Sequence, residues 1–426
     1  MKQHKLWKLL ILVLCGYLTA CTDYDLPDPQ PQEEHTEAVW ALIDICNKNA
    51  EVKGLLEHAI RQAAEINPDR RYNPAQSLTE FYDFVDWNIR QLPWDVMIHK
   101  APHSYGQSLY GRTDQGIGYF WFIVDQPLEE LKGRGFYYPT VEFVEPFSSW
   151  LTTYAQSWGE WLSSEESWND GYYRMVADDP DWGLTYGWYG KGNQWHTYNE
   201  FFARELASPD MRPIAEADVV SPVDSWPKTT FAINDNNQLE YPSDLQIKTA
   251  KLSDIGQLIG EDSKYKDAFA GGTLTHTFLD VNDYHRYHFP VCGTIVEVKK
   301  IPAQDAAGGV TVWDEKLGRY VLEDKDPGWQ SIETRDLVVV DTGEYGLVAI
   351  LPIAMSQVSS CNFEDSVVVG AHVEKGDPMG YFLFGGSDIC MVFQAGVNVD
   401  YLPVQKSDGT YDHVLMGQPL ANLSKK

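Results

Sequence analysis

The hydrophobic periodicity changes once along this chain of 426 residues, and that change most constrains its fold. Between about residues 36 and 200, apolar side chains recur every three or four positions, which is the spacing of amphipathic helices. From about residue 217 onward, short β-branched runs are separated by glycine and proline, a pattern typical of strands. The sequence therefore predicts an α+β protein, with a helical N-terminal domain packed on a β-rich domain.

Three features predict helices in the first half. Apolar residues are helix-spaced across 38–66, and Ser77 with Glu80 three positions later has the spacing of a capping box that starts a helix. Four aromatic residues fall on one helical face, which favours a core or domain interface over a ligand site. They are Trp150, Tyr154, Trp158 and Trp161.

The second half predicts strands at 273–280, 293–301, 337–340, 347–353, 366–369 and 381–384. Glycine and proline within 370–380 predict a turn-rich hairpin. Residues 303–336 are polar, charged and rich in glycine, so we expect a surface excursion there.

The net charge of −29 argues against a nucleic-acid partner, because phosphate binding requires an excess of Lys and Arg. The same charge disfavours a broad electrostatic attachment to anionic lipid. Cysteine spacing shows no zinc signature, and an extracytoplasmic disulfide stays open. The cysteines outside the first 21 residues are Cys46, Cys292, Cys361 and Cys390.

The N-terminus has the pattern of a processing signal. Three lysines in the first eight residues precede a short apolar run, and Leu18-Thr19-Ala20-Cys21 resembles a bacterial lipobox. We expect residues 1–20 to be a lipoprotein signal peptide, with lipid on the Cys21 thiol; an ordinary secretory signal is the alternative. Residues 21–35 are acidic and rich in proline, which predicts a flexible tether. The protein is then an extracytoplasmic bacterial lipoprotein, in the periplasm or on the outer membrane.

A local concentration of histidine stands at Asp283-Tyr284-His285-Arg286-Tyr287-His288 in a chain with eleven histidines. Histidine changes charge near neutral pH, so this block suits proton transfer. Taken alone, the pair His285 and His288 fits a metal site, an acid–base pair or a buried structural role.

Two further blocks supply complementary chemistry. Ser221-Pro222-Val223-Asp224-Ser225 offers an acid, and Phe384-Gly385-Gly386-Ser387 offers a hydroxyl. With the histidine block these are the components of nucleophile activation. Ser387 is not in a G-x-S-x-G context, which disfavours a hydrolase elbow. The glycines before it allow close backbone approach, which suits a reaction at the Gly386 carbonyl itself.

In this order, the three blocks resemble the phosphatidylserine decarboxylase family of pyruvoyl enzymes, over about residues 201–396. A softer resemblance links residues 158–162, 167–168 and 187–189 to the N-terminal extension of relatives that decarboxylate free aromatic amino acids, such as fungal tryptophan decarboxylases. The resemblance implies a helical N-terminal domain at 36–200. It also implies a catalytic domain at 201–426, self-cleaved between Gly386 and Ser387.

The resemblance implies a division of roles. Asp224 orients and charges His288, which takes the proton of Ser387 as that serine attacks the Gly386 carbonyl. Ser387 becomes a pyruvoyl group, the cofactor, at the head of residues 387–426, and the two chains stay associated. The substrate amine forms a Schiff base with it, carbon dioxide leaves, and His285 returns a proton. A homo-oligomer is compatible with this scheme.

Two substrate classes fit the resemblance. Phosphatidylserine, giving phosphatidylethanolamine, is favoured by the family's best-known activity and by a lipid anchor at the membrane. A free amino acid, such as an aromatic one, is favoured by the N-terminal extension, the aromatic content and the acidic charge, and we lean to it.

One departure from the family pattern favours a rival function. Asp388 follows Ser387 where the family has Thr or Ser, which supports a catalytically silent lipoprotein that binds a ligand on the retained fold. A zinc hydrolase is a weaker rival, and with all three blocks present we expect no metal.

Several other residues have less specific interpretations. His276 alternates with threonines in a predicted strand and is expected to be structural. Arg204 and Arg212 fit either a substrate anion or structural ion pairs. Asp280 and Asp283 are expected to shape the turn into the histidine block.

Overall fold

The computed structural model describes residues 34–93, 109, 115–240, 254–303, 309–323, 328–355, 360–384, 386–407 and 409–426. The predicted signal peptide at 1–20, Cys21, nearly all of the tether and Gly385 lie outside these ranges. None of the helices in the described ranges combines the length and the apolarity that crossing a bilayer requires.

The first half is mainly helical, as predicted. Its α-helices are α1 (Glu37–Lys48), α2 (Ala50–Ile66), α3 (Leu78–Asn88), α4 (Gly116–Val124), α5 (Phe147–Leu162), α6 (Asp170–Ala177) and α7 (Tyr198–Phe202). The periodic segment 38–66 forms two helices, because Asn49 has extended backbone and its side chain caps α2 by accepting from the N–H groups of Glu51 and Val52.

The helix start predicted at Ser77 and the aromatic stripe both form. Ser77 Oγ accepts from the Glu80 N–H at 3.3 Å, and the Glu80 carboxylate accepts from the hydroxyl of Ser77. On α5, Trp150, Tyr154 and Trp158 are buried. The indole of Trp150 donates to a carbonyl of α1, so the stripe joins helices within the core.

The second half contains antiparallel strands and, in its described ranges, the short α-helix α8 (Ile255–Ile259). Its strands are β1 (Val219–Val220), β2 (Trp226–Ala232), β3 (Thr273–Leu279), β4 (Arg286–His288), β5 (Gly293–Ile301), β6 (Val310–Asp314), β7 (Arg319–Glu323), β8 (Arg335–Asp341), β9 (Leu347–Met355), β10 (Ser360–Phe363), β11 (His372–Val373), β12 (Pro378–Leu383), β13 (Gly386–Phe393), β14 (Val397–Tyr401) and β15 (Pro419–Lys425). A seven-stranded sheet has the order β11-β5-β8-β9-β13-β3-β2. Two three-stranded sheets, β1-β15-β14 and β10-β12-β4, and the hairpin β6-β7 complete the fold.

The two sheets that matter for function meet at one point in the chain. The histidine block ends in β4, which pairs with β12 at the edge of a three-stranded sheet. The chain leaves β12 and enters β13, an interior strand of the large sheet, at Gly386. There Ser387 pairs with Ala354 of β9 and Leu279 of β3. The fold therefore joins the strand that carries the predicted nucleophile to the sheet that carries the histidines.

Two predicted strand features are wrong. Residues 366–369 form turns, because the N–H groups of Val367 and Val368 bond to carbonyls two or three residues back, and Val368 and Val369 are exposed. Residues 370–380 do not form a hairpin, since β11 pairs with β5 whereas β12 pairs with β10 and β4.

The segment 303–336 is not only a surface excursion. Its hairpin β6-β7 packs on α4, with Tyr320 buried. The Tyr320 hydroxyl donates to the Tyr72 carbonyl at 2.7 Å, and its N–H donates to Gln115 at 2.6 Å. The aromatic residues within this polar segment bury apolar surface, so the hairpin ties the β-rich half to the helices. One continuous hydrophobic cluster runs through both halves.

Candidate active site

Ser387 is fully buried in β13. Its Oγ has no hydrogen-bond partner within the described residues. A buried hydroxyl normally finds a partner, so an unpartnered one at the predicted cleavage position indicates an atom reserved for chemistry or for a ligand.

His285 is the second buried group with an open position. Its Nδ1 lies 2.9 Å from the Asp283 carbonyl, which only accepts, so Nδ1 carries the proton and Nε2 carries the lone pair. Nε2 has no partner in the part of the chain that the structure describes. The ring stacks on Phe202 with centroids 3.8 Å apart. Burial, followed by the Arg204 cation, holds the pKa of His285 well below its usual value. The imidazole is therefore a neutral group with a free lone pair.

His288 has partners at both nitrogens. Nδ1 donates to the Gly376 carbonyl at 2.8 Å, and Nε2 accepts from the Tyr284 hydroxyl at 3.1 Å. Burial lowers the pKa of His288, while the Gly376 carbonyl and the Asp224 carboxylate act in the opposite direction. Like His285, it is a neutral imidazole with its lone pair on Nε2, but a hydroxyl already occupies that lone pair.

Asp224 does not hydrogen-bond to His288 among the described contacts, which corrects the pairing expected from sequence. Its two oxygens accept from Arg212 Nε at 2.9 Å and Nη2 at 2.5 Å, and one also accepts from the Met416 N–H at 2.7 Å. The bidentate guanidinium takes the carboxylate edge that was expected to face the histidine. Asp224 therefore acts on His288 through its field rather than by direct contact.

The second arginine that the sequence left open is also engaged within the protein. Arg204 is buried and donates to the carbonyls of Asn282 and Asp283 at 2.6 and 2.9 Å. The same Asp283 carbonyl accepts from His285. Arg204 thus fixes the backbone that orients His285. These contacts give Arg204 a structural role.

The predicted turn at Asp280 and Asp283 forms, and it contains a contact that sequence did not reveal. The Asp283 carboxylate accepts from the Asp280 N–H at 2.8 Å and pairs with His413 Nε2 at 2.8 Å. Burial raises the pKa of Asp283 although His413 opposes the shift. Burial lowers the pKa of His413, but the field and hydrogen bond of Asp283, together with the fields of Asp224 and Asp280, raise it above its usual value. His413 lies 130 residues from Asp283 in the chain, so no local pattern marks it.

A second unforeseen pair lies next to the nucleophile. His276 Nδ1 is 2.8 Å from Asp388 Oδ2, and both residues are buried. His276 was expected to be structural, and Asp388 was expected to weaken the family pattern. The sequence singled out each residue separately. Only the pairing of β3 with β13 brings the two side chains together.

Two clefts flank the histidine block. The His288 cleft, about 780 Å³, is lined by Tyr284, His288 and Met416 together with charged residues. The aromatic cleft, about 860 Å³, is lined by Tyr189, Trp195 and Tyr381 together with Asn199 and Leu383. Arg286 contributes to both walls.

The histidine block presents two neutral imidazoles, each with its lone pair on Nε2, and this form suits proton transfer. Within the described ranges, no group of three or more His, Cys, Asp and Glu side chains is placed to hold a metal ion. His285 and His288 each direct Nδ1 at a backbone carbonyl, which fixes the tautomer for acid–base work.

Comparison with known proteins identifies the family of the chain. Residues 198–422 match the family model described as phosphatidylserine decarboxylase. The chain is similar to a phosphatidylserine decarboxylase proenzyme of Oryza sativa subsp. japonica, 34% identical over 46% of this chain and 29% of that protein. A proenzyme of the same name from Polaromonas sp. is 28% identical over 49% of this chain and 74% of the relative.

An L-tryptophan decarboxylase of Psilocybe cyanescens is 26% identical over 55% of this chain and 59% of that protein. The chain thus spans less than two thirds of the rice and Psilocybe relatives. The matched region runs from α7 to β15 and includes Asp224, both histidines and Ser387. The family match covers more than half of the sequence, and the chain belongs to the phosphatidylserine decarboxylase family.

Proposed function

We propose that this protein is a self-processing, pyruvoyl-dependent decarboxylase whose substrate is a free aromatic amino acid. The observation that carries the proposal is that, among the buried polar atoms without partners in the described structure, two belong to the predicted catalytic residues: Ser387 Oγ and His285 Nε2. An unsatisfied buried polar group costs about 1–3 kcal/mol. Such a cost is typical of a site where reacting atoms complete the contacts.

Ser387 fits the formation of a pyruvoyl group. Its Oγ attacks the Gly386 carbonyl carbon, the C–N bond between the two residues breaks, and an ester with a free serine amine results. Loss of the serine α-proton and cleavage of the Cβ–Oγ bond release Gly386 as a carboxylate and leave dehydroalanine. Water then converts the dehydroalanine to the pyruvoyl group and ammonia. No hydrogen bond of Ser387 Oγ among the described contacts has to be broken before the attack.

His288 is our proposed base for that attack. Its proton is fixed on Nδ1 by the Gly376 carbonyl, and the lone pair on Nε2 already accepts a hydroxyl, that of Tyr284. The same lone pair can accept the Ser387 proton once the Tyr284 hydroxyl gives way. A lowered pKa keeps the imidazole neutral, as a base requires.

His285 is our proposed proton donor in turnover. When formed, the pyruvoyl group supplies an electron sink for the carbanion that loss of carbon dioxide leaves. His285 Nε2 carries a lone pair, so it would first take a proton from the substrate ammonium group and then return it, and burial keeps water from this nitrogen. Arg204 and the Asp283 carbonyl keep the ring in place.

The clefts favour an amino acid over a phospholipid. The His288 cleft has four carboxylates and two arginines in its walls, and the arginines are paired with Asp224, Glu205 and Glu364. This excess of negative charge attracts an ammonium group and repels a phosphodiester. The aromatic cleft offers Tyr189, Trp195 and Tyr381 as stacking surfaces. Phosphatidylserine remains the alternative, supported by the names of the plant and bacterial relatives.

The cleaved chains should remain together. After cleavage, β13 still lies between β9 and β3, and β15 still pairs with β1, a strand of the larger chain. These ladders hold residues 387–426 in the fold without the peptide bond.

Two measurements test the proposed function. Mass spectrometry of purified protein should show a separate chain starting at position 387 with a blocked, pyruvoyl N-terminus. Carbon dioxide release should be larger from tryptophan or phenylalanine than from phosphatidylserine vesicles. An intact chain would support the silent binding module instead, and release from phosphatidylserine alone would overturn the amino-acid assignment.

We also propose that the mature protein is a lipoprotein held outside the cytoplasm by a lipid on Cys21, after removal of residues 1–20. Metabolic labelling with a fatty acid should mark the wild type and not Cys21→Ala. Equal labelling of both proteins would contradict the anchor.

A further inference from the structure

Asp388 places a carboxylate directly after the proposed nucleophile. It is fully buried within β13, an interior strand. A buried carboxylate is strongly unfavourable unless a partner compensates its charge.

The partner is His276 on the neighbouring strand. Asp388 pairs with Phe278 of β3, and Cys390 pairs with His276, so both side chains lie on the same face of the sheet at diagonal positions. His276 Nδ1 is 2.8 Å from Asp388 Oδ2, and Gln330 Nε2 lies 3.3 Å from that nitrogen. Cys390 Sγ is 3.8 Å from the other carboxylate oxygen.

Ser387 lies on the opposite face. Successive residues of a strand point to opposite sides of a sheet, so the Asp388 carboxylate does not project into the space of Ser387 Oγ. The carboxylate is instead close to the reacting carbonyl along the chain, because Asp388 follows Ser387 in β13. Attack on Gly386 develops negative charge on the carbonyl oxygen, and an uncompensated carboxylate two residues along the strand would oppose that charge.

We propose that His276 is a positioning residue for maturation, which holds Asp388 and satisfies its carboxylate so that the Gly386–Ser387 bond can be cleaved. The inference rests on the proposed self-cleavage. It also explains how this chain carries Asp at a position where the resembled family has Ser or Thr: the compensating group is supplied from β3.

The test is a double-mutant cycle on the rate of chain cleavage, followed by gel and mass spectrometry after synthesis of the full-length precursor. His276→Ala should slow cleavage about tenfold or more, because it leaves a buried carboxylate without its partner. Asp388→Ser should cleave at least as fast as wild type. The double variant His276→Ala with Asp388→Ser should recover the wild-type rate, since no carboxylate remains to be satisfied.

A matched control separates this effect from loss of stability. His35 pairs with Asp86, a buried carboxylate in the N-terminal half. His35→Ala should lower the melting temperature as His276→Ala does, yet leave the cleavage rate unchanged when both are assayed well below melting.

The outcomes are distinguishable. A wild-type chain that never cleaves overturns the proposed function. Normal cleavage of wild type with equally fast cleavage of His276→Ala overturns the role of His276 alone. If Asp388→Ser fails to restore the double variant, His276 acts on something other than Asp388, and the inference is wrong.

Discussion

Two neighbouring parts of the site differ in how completely their polar atoms are satisfied. Around Asp224 and His288, both carboxylate oxygens and both imidazole nitrogens have partners. At Ser387 and His285, one atom of each side chain is buried without a partner among the described residues. In the satisfied part, partners fix the geometry before any reaction, whereas the unsatisfied part holds buried atoms whose contacts are still incomplete. The sequence assigned these four residues different roles, but it did not show which of their polar atoms have partners.

The largest effect should follow removal of the Ser387 hydroxyl. Ser387→Ala should abolish both cleavage and decarboxylation, because no oxygen remains to attack Gly386. The melting temperature should stay near that of the uncleaved precursor, since the lost Oγ has no hydrogen bond among the described contacts. Denaturing gels and thermal melts measure the two quantities.

A matched serine gives the contrast. Ser167 is buried and its Oγ donates to the Leu162 carbonyl at 2.9 Å. Ser167→Ala should lose about 1 kcal/mol of stability and cleave normally. A large loss of stability in Ser387→Ala would show that its hydroxyl is satisfied after all.

Replacement of the two histidines should have the next largest effects, and the effects should differ. His288→Ala should leave the chain uncleaved, because the base is lost. His285→Ala should cleave but release carbon dioxide at least about a hundredfold more slowly, the scale of lost acid–base catalysis. The reverse pattern, with uncleaved His285→Ala and cleaved His288→Ala, would assign the maturation base to the free Nε2 of His285.

Tyr284→Phe sharpens the same comparison. It removes the hydroxyl that occupies His288 Nε2, so cleavage should be as fast as in wild type or faster. Slower cleavage would mean that the hydroxyl orients His288 rather than competing with Ser387.

Replacement of Asp224 should lower the stability of the protein as well as the rate of cleavage. Asp224→Asn leaves Arg212 buried beside an uncharged amide and should destabilise the protein by about 3–5 kcal/mol. Cleavage should also slow, because His288 loses a field that favours its protonation. The double replacement Arg212→Met with Asp224→Leu should recover much of the stability without restoring cleavage. Recovery of both would reduce Asp224 to a packing role.

Acidification should have the smallest effect. The folded-state pKa values of His285 and His288 are lowered, so the unfolded chain binds more protons below the ordinary histidine value of about 6.5. Their contribution to stability is therefore present above that value and is lost as pH falls towards the folded-state values. Cleavage should be flat across neutral pH and decline only in acid. A midpoint at or above that value would contradict the neutral, buried imidazoles.

Short-range patterns predicted much of this fold. The helix start at Ser77, the α5 stripe and strand β5 were all readable, because each depends on residues close in sequence. At 366–369 valine content suggested a strand, but the residues form turns. At 370–380 glycine and proline suggested a hairpin, but long-range pairing assigns β11 and β12 to separate sheets. The hairpin β6-β7 was missed because its buried aromatics are set in a polar segment.

By itself, the sequence determined the α+β class, the change from helical to strand periodicity and the three blocks that identify the family. Periodicity and motif chemistry are local properties. Only the tertiary structure decided which partners those blocks have. Asp224 meets Arg212, Asp283 meets His413, and Asp388 meets His276 across 112 residues. Such contacts depend on strand pairing and burial. The physical reason is that a buried charge takes whichever compensating group the fold brings within reach, however distant that group is along the chain.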